Sequence, residues 1–199
     1  MSGRAGVLAL QGDFAAHMRV LAQLGAEPVE IRRPAQLKGI SALLMPGGES
    51  TTMSLLLDSS GLRQPLIELI GGGLPILATC AGAILLARQL RHDNGSIRVH
   101  TLGLLDATVD RNAYGRQVDS FESALRVDWA ALGADQNGGD FHGVFIRAPQ
   151  ISAPGPAVAP VAWHDDEVVA VRQGNIVAAA FHPELSGDAR LHQAVLAMG

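Results

Sequence analysis

The first 80 residues alternate short apolar runs with segments of helical periodicity, and few architectures accept that rhythm. Residues 7–10, 28–33, 42–45 and 75–79 have the length and composition of strands. Between the first two, Asp13 opens a segment that puts Phe14, Met18 and Leu21 on one helical face, and Gly25 closes it. Residues 51–60 and 62–70 are also patterned as helices, with Gly61 as punctuation. Parallel strands can be joined only through a crossover, so this order predicts an α/β fold: an open, mostly parallel sheet with helices on both faces. Beyond about residue 98 the pattern is richer in β. Residues 144–147, 160–170 and 176–181 have strand character, and Arg172-Gln173-Gly174-Asn175 is a hairpin turn. Residues 187–198 form a closing helix, while 135–140 and 153–160 are surface loops.

Length and charge narrow the function. A chain of 199 residues, 48% hydrophobic and 17% charged, has enough apolar surface for one real core, and a single domain over residues 1–199 is expected. A net charge of −4, scattered along the chain, gives no footprint for nucleic acid or a membrane surface. No apolar run reaches the roughly 18 residues of a membrane span, and the N-terminus does not look like a signal peptide. One cysteine excludes an intramolecular disulfide and a cysteine-based zinc site, and it fits a reducing, cytoplasmic setting.

That cysteine, Cys80, falls between an apolar strand-like run (residues 74–79) and a helix former (residues 81–87), flanked by small residues. Strand, tight turn, nucleophile and helix is the elbow order that lifts a side chain over a sheet edge. A lone cysteine is more often a buried small hydrophobe. What raises its standing is Phe181-His182-Pro183-Glu184, which follows another apolar strand, residues 175–180. Pro183 pushes His182 towards an extended conformation, where side chains two apart share a side. Glu184 then orients the imidazole and leaves its other nitrogen for a nucleophile. Of the six other histidines, at 17, 92, 100, 142, 164 and 192, none has an acid at +2 locked by a proline.

Ligands in open α/β sheets bind beyond the carboxyl ends of the strands. Leu10-Gln11-Gly12, Pro46-Gly47-Gly48-Glu49-Ser50-Thr51 and Cys80 should gather there. The glycine pair can aim the N–H of Gly48 where other residues cannot, and with the N–H of Ala81 it would form an oxyanion hole. The plainer alternative is a strand-to-helix turn with Ser50 or Thr51 as cap. The Walker phosphate-loop pattern is not met, since no Lys precedes the Ser. The polar block from Arg111 to Glu122 holds the chain's only tyrosine, and an Arg there suits a substrate carboxylate as well as it suits a solvated loop. Arg147 ends an apolar strand and has the same two readings.

With these pieces in place, the chain resembles the class I, triad-type glutamine amidotransferases, which have a flavodoxin-like sheet. More closely it resembles the glutaminase subunits of pyridoxal 5′-phosphate synthase, the PdxT family. The Cys and His-Pro-Glu elements are common to the class. The runs Gly47-Gly48-Glu49-Ser50-Thr51-Thr52, Gly115-Arg116-Gln117-Val118-Asp119-Ser120-Phe121-Glu122 and Phe145-Ile146-Arg147-Ala148-Pro149 are narrower. The resemblance implies hydrolysis of L-glutamine to glutamate and ammonia, with Cys80, His182 and Glu184 as the triad. It implies glutamine contacts at Gly48, Glu49, Ser50, Arg111, Ile146 and Arg147. It also implies a role for Gln11 at the partner interface and in activation. The implied partner is a (β/α)₈-barrel synthase subunit in a hetero-oligomer, which takes the ammonia for vitamin B6 biosynthesis. No cofactor and no metal are expected. Ala83, where a larger aliphatic residue is expected, and the Gly-rich stretch 131–141 depart from the pattern. A different ammonia acceptor, another cysteine hydrolase and a non-catalytic binding module remain the competing readings.

Overall fold

The computed structural model describes residues 3–91, 98–111, 120–134 and 139–199. The expected rhythm is present: β1 (Arg4–Leu8), α1 (Phe14–Gln23), β2 (Glu27–Ile31), β3 (Ala42–Met45), α2 (Ser50–Ser59), α3 (Arg63–Gly71), β4 (Ile76–Thr79) and α4 (Ala81–Leu86). There follow β5 (Ala87–Arg91), β6 (Leu105–Asp110), β7 (Phe121–Val127), β8 (Phe141–Phe145) and β9 (Gln150–Ser152). The chain finishes with β10 (Ala159–His164), β11 (Glu167–Gln173), β12 (Ile176–Ala179) and α5 (Arg190–Leu196).

The main sheet has the order β2-β1-β3-β4-β12-β11-β10-β7-β8. Its first five strands are mutually parallel, and from β12 outward every pairing is antiparallel. A small second sheet, β5-β6-β9, pairs β5 with β6 in parallel and β6 with β9 antiparallel. Strands β3, β4 and β12 are buried at every position, as both faces are covered. The two-residue period divides them between two cores. Leu43, Met45, Ile76 and Ala78 pack on one side with Met53, Leu57, Leu66 and Leu85. Leu44, Leu77 and Val177 face the other side, with Leu21, Phe141, Phe181, Leu191 and Val195.

Several expected boundaries move. The run 160–170 is two strands, β10 and β11, separated by Asp165 at φ 52. The strand expected over 144–147 stops at Phe145, and Arg147 lies past it at φ 46. The hairpin turn is where it was expected: Gln173 pairs with Ile176, and Gly174 takes φ 56 between them. Helix α2 is capped by neither Ser50 nor Thr51. The cap is Glu49, whose carboxylate accepts from Thr51 N at 3.0 Å and Thr52 N at 2.6 Å. Ala83 is fully buried in α4. Most of the polar block after Arg111 (residues 112–119) and of the 135–140 loop (residues 135–138) lies outside the described residues.

Candidate active site

Strands β4 and β12 are parallel neighbours with Thr79 opposite Ala179, so whatever follows them emerges side by side. After β4 comes Cys80, at φ 48 and ψ −105, its N–H donating to the Ala179 carbonyl at 2.8 Å. A positive φ on a non-glycine residue is costly, and at a strand–helix junction it presents the side chain above the sheet. Small neighbours are required here: a Cβ on Gly82 would strike the Met45 carbonyl of β3. The thiol points at the Ile146 carbonyl oxygen, 3.8 Å away.

After β12 comes His182, whose N–H donates to the Val144 carbonyl at 2.8 Å and so ties the residue to β8. Its backbone is non-helical, at φ −110 and ψ 83, as the following proline requires. The chain then tightens into a 3-10 turn, Pro183–Leu185, instead of running on extended. The tightening still brings the pair together: His182 Nδ1 and Glu184 Oε1 are 2.8 Å apart, with Glu184 only 7% exposed. Nδ1 therefore carries its proton towards the carboxylate, and Nε2 is left for the nucleophile. Burial works against a charged ring, but hydrogen bonds to Cys80 and Glu184 and the Glu184 charge outweigh it. His182 is pushed up to about 10, so the ring holds its proton and is positively charged at neutral pH.

A cavity of about 290 Å³ opens over these side chains. Cys80 and His182 line it, with Gly48, Glu49, Ser50, Arg111, Ile146 and Arg147 from the expected set. The ends of β3, β4, β6, β8 and β12 thus converge on one hollow, beyond the carboxyl ends of the parallel strands as expected for an open α/β sheet. Gly12, from the run expected there, lines it as well, with Asp13 and Ile84, which sequence reasoning did not single out as site residues. Glu184 stands behind His182. Ala81 is buried at the first position of α4, where a backbone N–H has no helical partner.

The glycine pair is held from several sides. The Gly47 carbonyl rests on Gly12, which has φ 91 and no room for a Cβ. In a trans peptide the Gly48 N–H then points away from Gly12. A Cβ on Gly47 would collide with the His182 ring, and one on Gly48 with the Gln11 side chain. Gln11 itself clasps the loop, its Oε1 accepting from Glu49 N at 2.7 Å. Arg111 donates to Thr51 Oγ1 at 3.0 Å and lies 3.8 Å from Glu49, so the helix cap and the cationic wall of the cavity form one unit.

The family model that matches is the SNO glutamine amidotransferase family, over residues 7–198. The chain belongs to the SNO glutamine amidotransferase family. Relatives agree with that membership over nearly the whole length. "Pyridoxal 5′-phosphate synthase subunit PdxT" of Pelotomaculum thermopropionicum is 52% identical, covering 96% of this chain and 92% of that one. The protein of the same name from Dehalococcoides mccartyi is 50% identical, covering 94% of this chain and 93% of that one. A crystal structure described as a glutamine amidotransferase superposes with a TM-score of 0.87 at 44% identity, covering 98% of this chain and 97% of that one. An amidotransferase needs a nucleophile, an acid–base partner and a pocket for a small amide. The convergent strand ends of this sheet bring a thiol, an imidazole with its buried carboxylate and a hollow together.

Among the described residues, no helix is long and apolar enough to cross a membrane.

Proposed function

We infer that the chain is the glutaminase subunit of a pyridoxal 5′-phosphate synthase, hydrolysing L-glutamine with Cys80, His182 and Glu184. The observation that carries the reading is a strained Cys80 beside an imidazole whose far nitrogen is held at 2.8 Å by a buried carboxylate, in a chain of this family. Cys80 Sγ attacks the carboxamide carbon of glutamine. The carbonyl π pair moves onto oxygen, where the N–H groups of Gly48 and Ala81 receive it. His182 Nε2 gives its proton to the departing nitrogen, and the tetrahedral intermediate collapses to a thioester and ammonia. His182, now neutral, takes a proton from water as that water attacks the thioester, and glutamate leaves. Gly48, Glu49, Ser50, Arg111, Ile146 and Arg147 hold the substrate, the cations facing its carboxylate.

The whole of residues 1–199 is one glutaminase domain in this reading. Its product passes to a (β/α)₈-barrel synthase subunit in the cytoplasm, and Gln11 links the glycine loop to that partner. A clasp on the Gly48-Glu49 peptide, next to the one that carries the Gly48 N–H, gives docking something to shift. The test is glutaminase turnover of the chain alone and mixed with a pyridoxal 5′-phosphate synthase barrel subunit, with Cys80→Ala as control. Turnover should rise on mixing and vanish in the variant. Turnover that survives in Cys80→Ala removes the nucleophile, and turnover indifferent to the barrel removes the activation.

A further inference from the structure

Behind the triad lies a second pair of imidazoles. His17 of α1 and His192 of α5 are both fully buried, and they come from segments 175 residues apart. His17 Nδ1 is 2.9 Å from His192 Nε2. On its other side, His17 Nε2 is 3.4 Å from Glu184 Oε2 and 3.4 Å from the hydroxyl of Thr79, the residue before the nucleophile. Glu184 Oε2 is buried without a hydrogen-bond partner, its sister oxygen being the one that meets His182, and His17 Nε2 faces it at 3.4 Å as a polar contact only. A helix from the start of the chain thus reaches one oxygen of the triad carboxylate, and a helix from its end backs that contact through His192.

The contacts favour one set of protons on this chain of atoms. A bare Nε2 would set its lone pair against Oε2 of an ionised carboxylate, whereas an Nε2–H of His17 faces that oxygen favourably and can donate to the Thr79 hydroxyl. Burial, with His192 and His182 close by, holds His17 well below its usual range, so the ring is neutral and its Nδ1 is bare. A bare Nδ1 accepts, which makes His192 Nε2 the donor. His192 is pushed down to about 4 by burial, so its own Nδ1 is bare as well. That Nδ1 is buried without a hydrogen-bond partner, as this assignment requires.

We propose that His17 is a positioning residue of the glutaminase triad, holding Glu184 through Oε2, and that His192 acts one step further back by locking the His17 tautomer. Glu184 is then hydrogen-bonded at Oε1 and faced by an N–H at Oε2, which disfavours its rotation away from His182 as the ring changes charge during turnover. The role rests on the glutaminase reading, but the tautomer it requires does not.

Nitrogen-15 NMR of the intact chain with ring-labelled histidines reads the tautomers directly, with His17→Gln and His192→Gln assigning the signals. His17 should be the Nε2–H form, and His192→Phe should shift it towards Nδ1–H. A wild-type His17 protonated at Nδ1 overturns the proposal whether or not glutamine is turned over. Steady-state glutaminase assays with the synthase subunit present supply the second readout. His17→Leu should lower kcat by about 10- to 100-fold, the usual cost of removing an outer orienting partner, with KM for glutamine within about twofold. His17→Gln, which keeps a donor near the Nε2 position, should recover most of the loss. An unchanged kcat in His17→Leu, or no recovery in His17→Gln, overturns it. Should His17→Leu fail to fold, the wild-type tautomer and the His17→Gln rates still decide. A wild type of the right tautomer that leaves glutamine intact would sink the reaction and spare the geometry.

Discussion

Gly47 sets how closely the loop after β3 approaches the imidazole. A methyl group there would enter the His182 ring and sit 3.2 Å from Cys80 Cβ. Gly47→Ala should therefore lower kcat by about 100-fold, the scale of a displacement of roughly 1 Å in a reacting group. The glutamine KM should move far less. Unchanged turnover would mean that the ring shifts freely and that its position is not critical. Residues like these differ in how far they announce themselves. The gathering of Cys80, His182 and Glu184 was legible because each has a local cue: a strand–helix junction, or a proline holding an imidazole near an acid. His17 and His192 have none. A histidine on a helix face looks the same whether it meets solvent or a carboxylate, and its partner lies 175 residues away.

Helix α2 depends on a carboxylate that also borders the cavity. Glu49 accepts from two backbone N–H groups and from the Thr52 hydroxyl at 2.7 Å, and these bonds outweigh burial to hold its carboxyl below the usual range. Glu49→Ala should cost about 1 kcal/mol in urea unfolding, the worth of a helix cap. It should also raise the glutamine KM more than it lowers kcat, as Arg111 loses the anion beside it. A loss of stability with KM untouched would confine Glu49 to capping. At this scale the parallel half of the sheet was readable, since apolar runs and capped helices alternate without ambiguity. The antiparallel half was harder. The turn between β10 and β11 uses Asp165 in the left-handed region, with no Gly or Pro to mark it, so two strands looked like one. The short second sheet pairs β5, β6 and β9 across long separations, which periodicity cannot register.

The molecule as a whole carries opposed histidine effects in its pH dependence. His192 is neutral in the fold down to about 4, against about 6.5 when unfolded. Between those values the unfolded chain binds the extra proton, so stability is lost as pH falls from 6.5 to 4; His17 acts in the same direction. His182 is raised to about 10, so its contribution is complete below 6.5 and fades as pH rises towards 10. Urea unfolding at a series of pH values should show both limbs. His192→Gln should flatten the acid limb by on the order of 3 kcal/mol between pH 6.5 and 4. An acid limb identical in wild type and variant would remove the buried-histidine explanation. Cys80→Ala should flatten the alkaline limb, because the hydrogen bond to Cys80 helps keep the His182 proton. The same sulfur has a consequence for oxidative life. It is the chain's only thiol. A sulfenic acid formed at Cys80 finds no second cysteine within its own chain to close a rescuing disulfide. Peroxide then leads to capping by a small thiol, which is reversible, or onward to sulfinic acid, which is not. Residual turnover after such exposure would count intact sulfur atoms one for one.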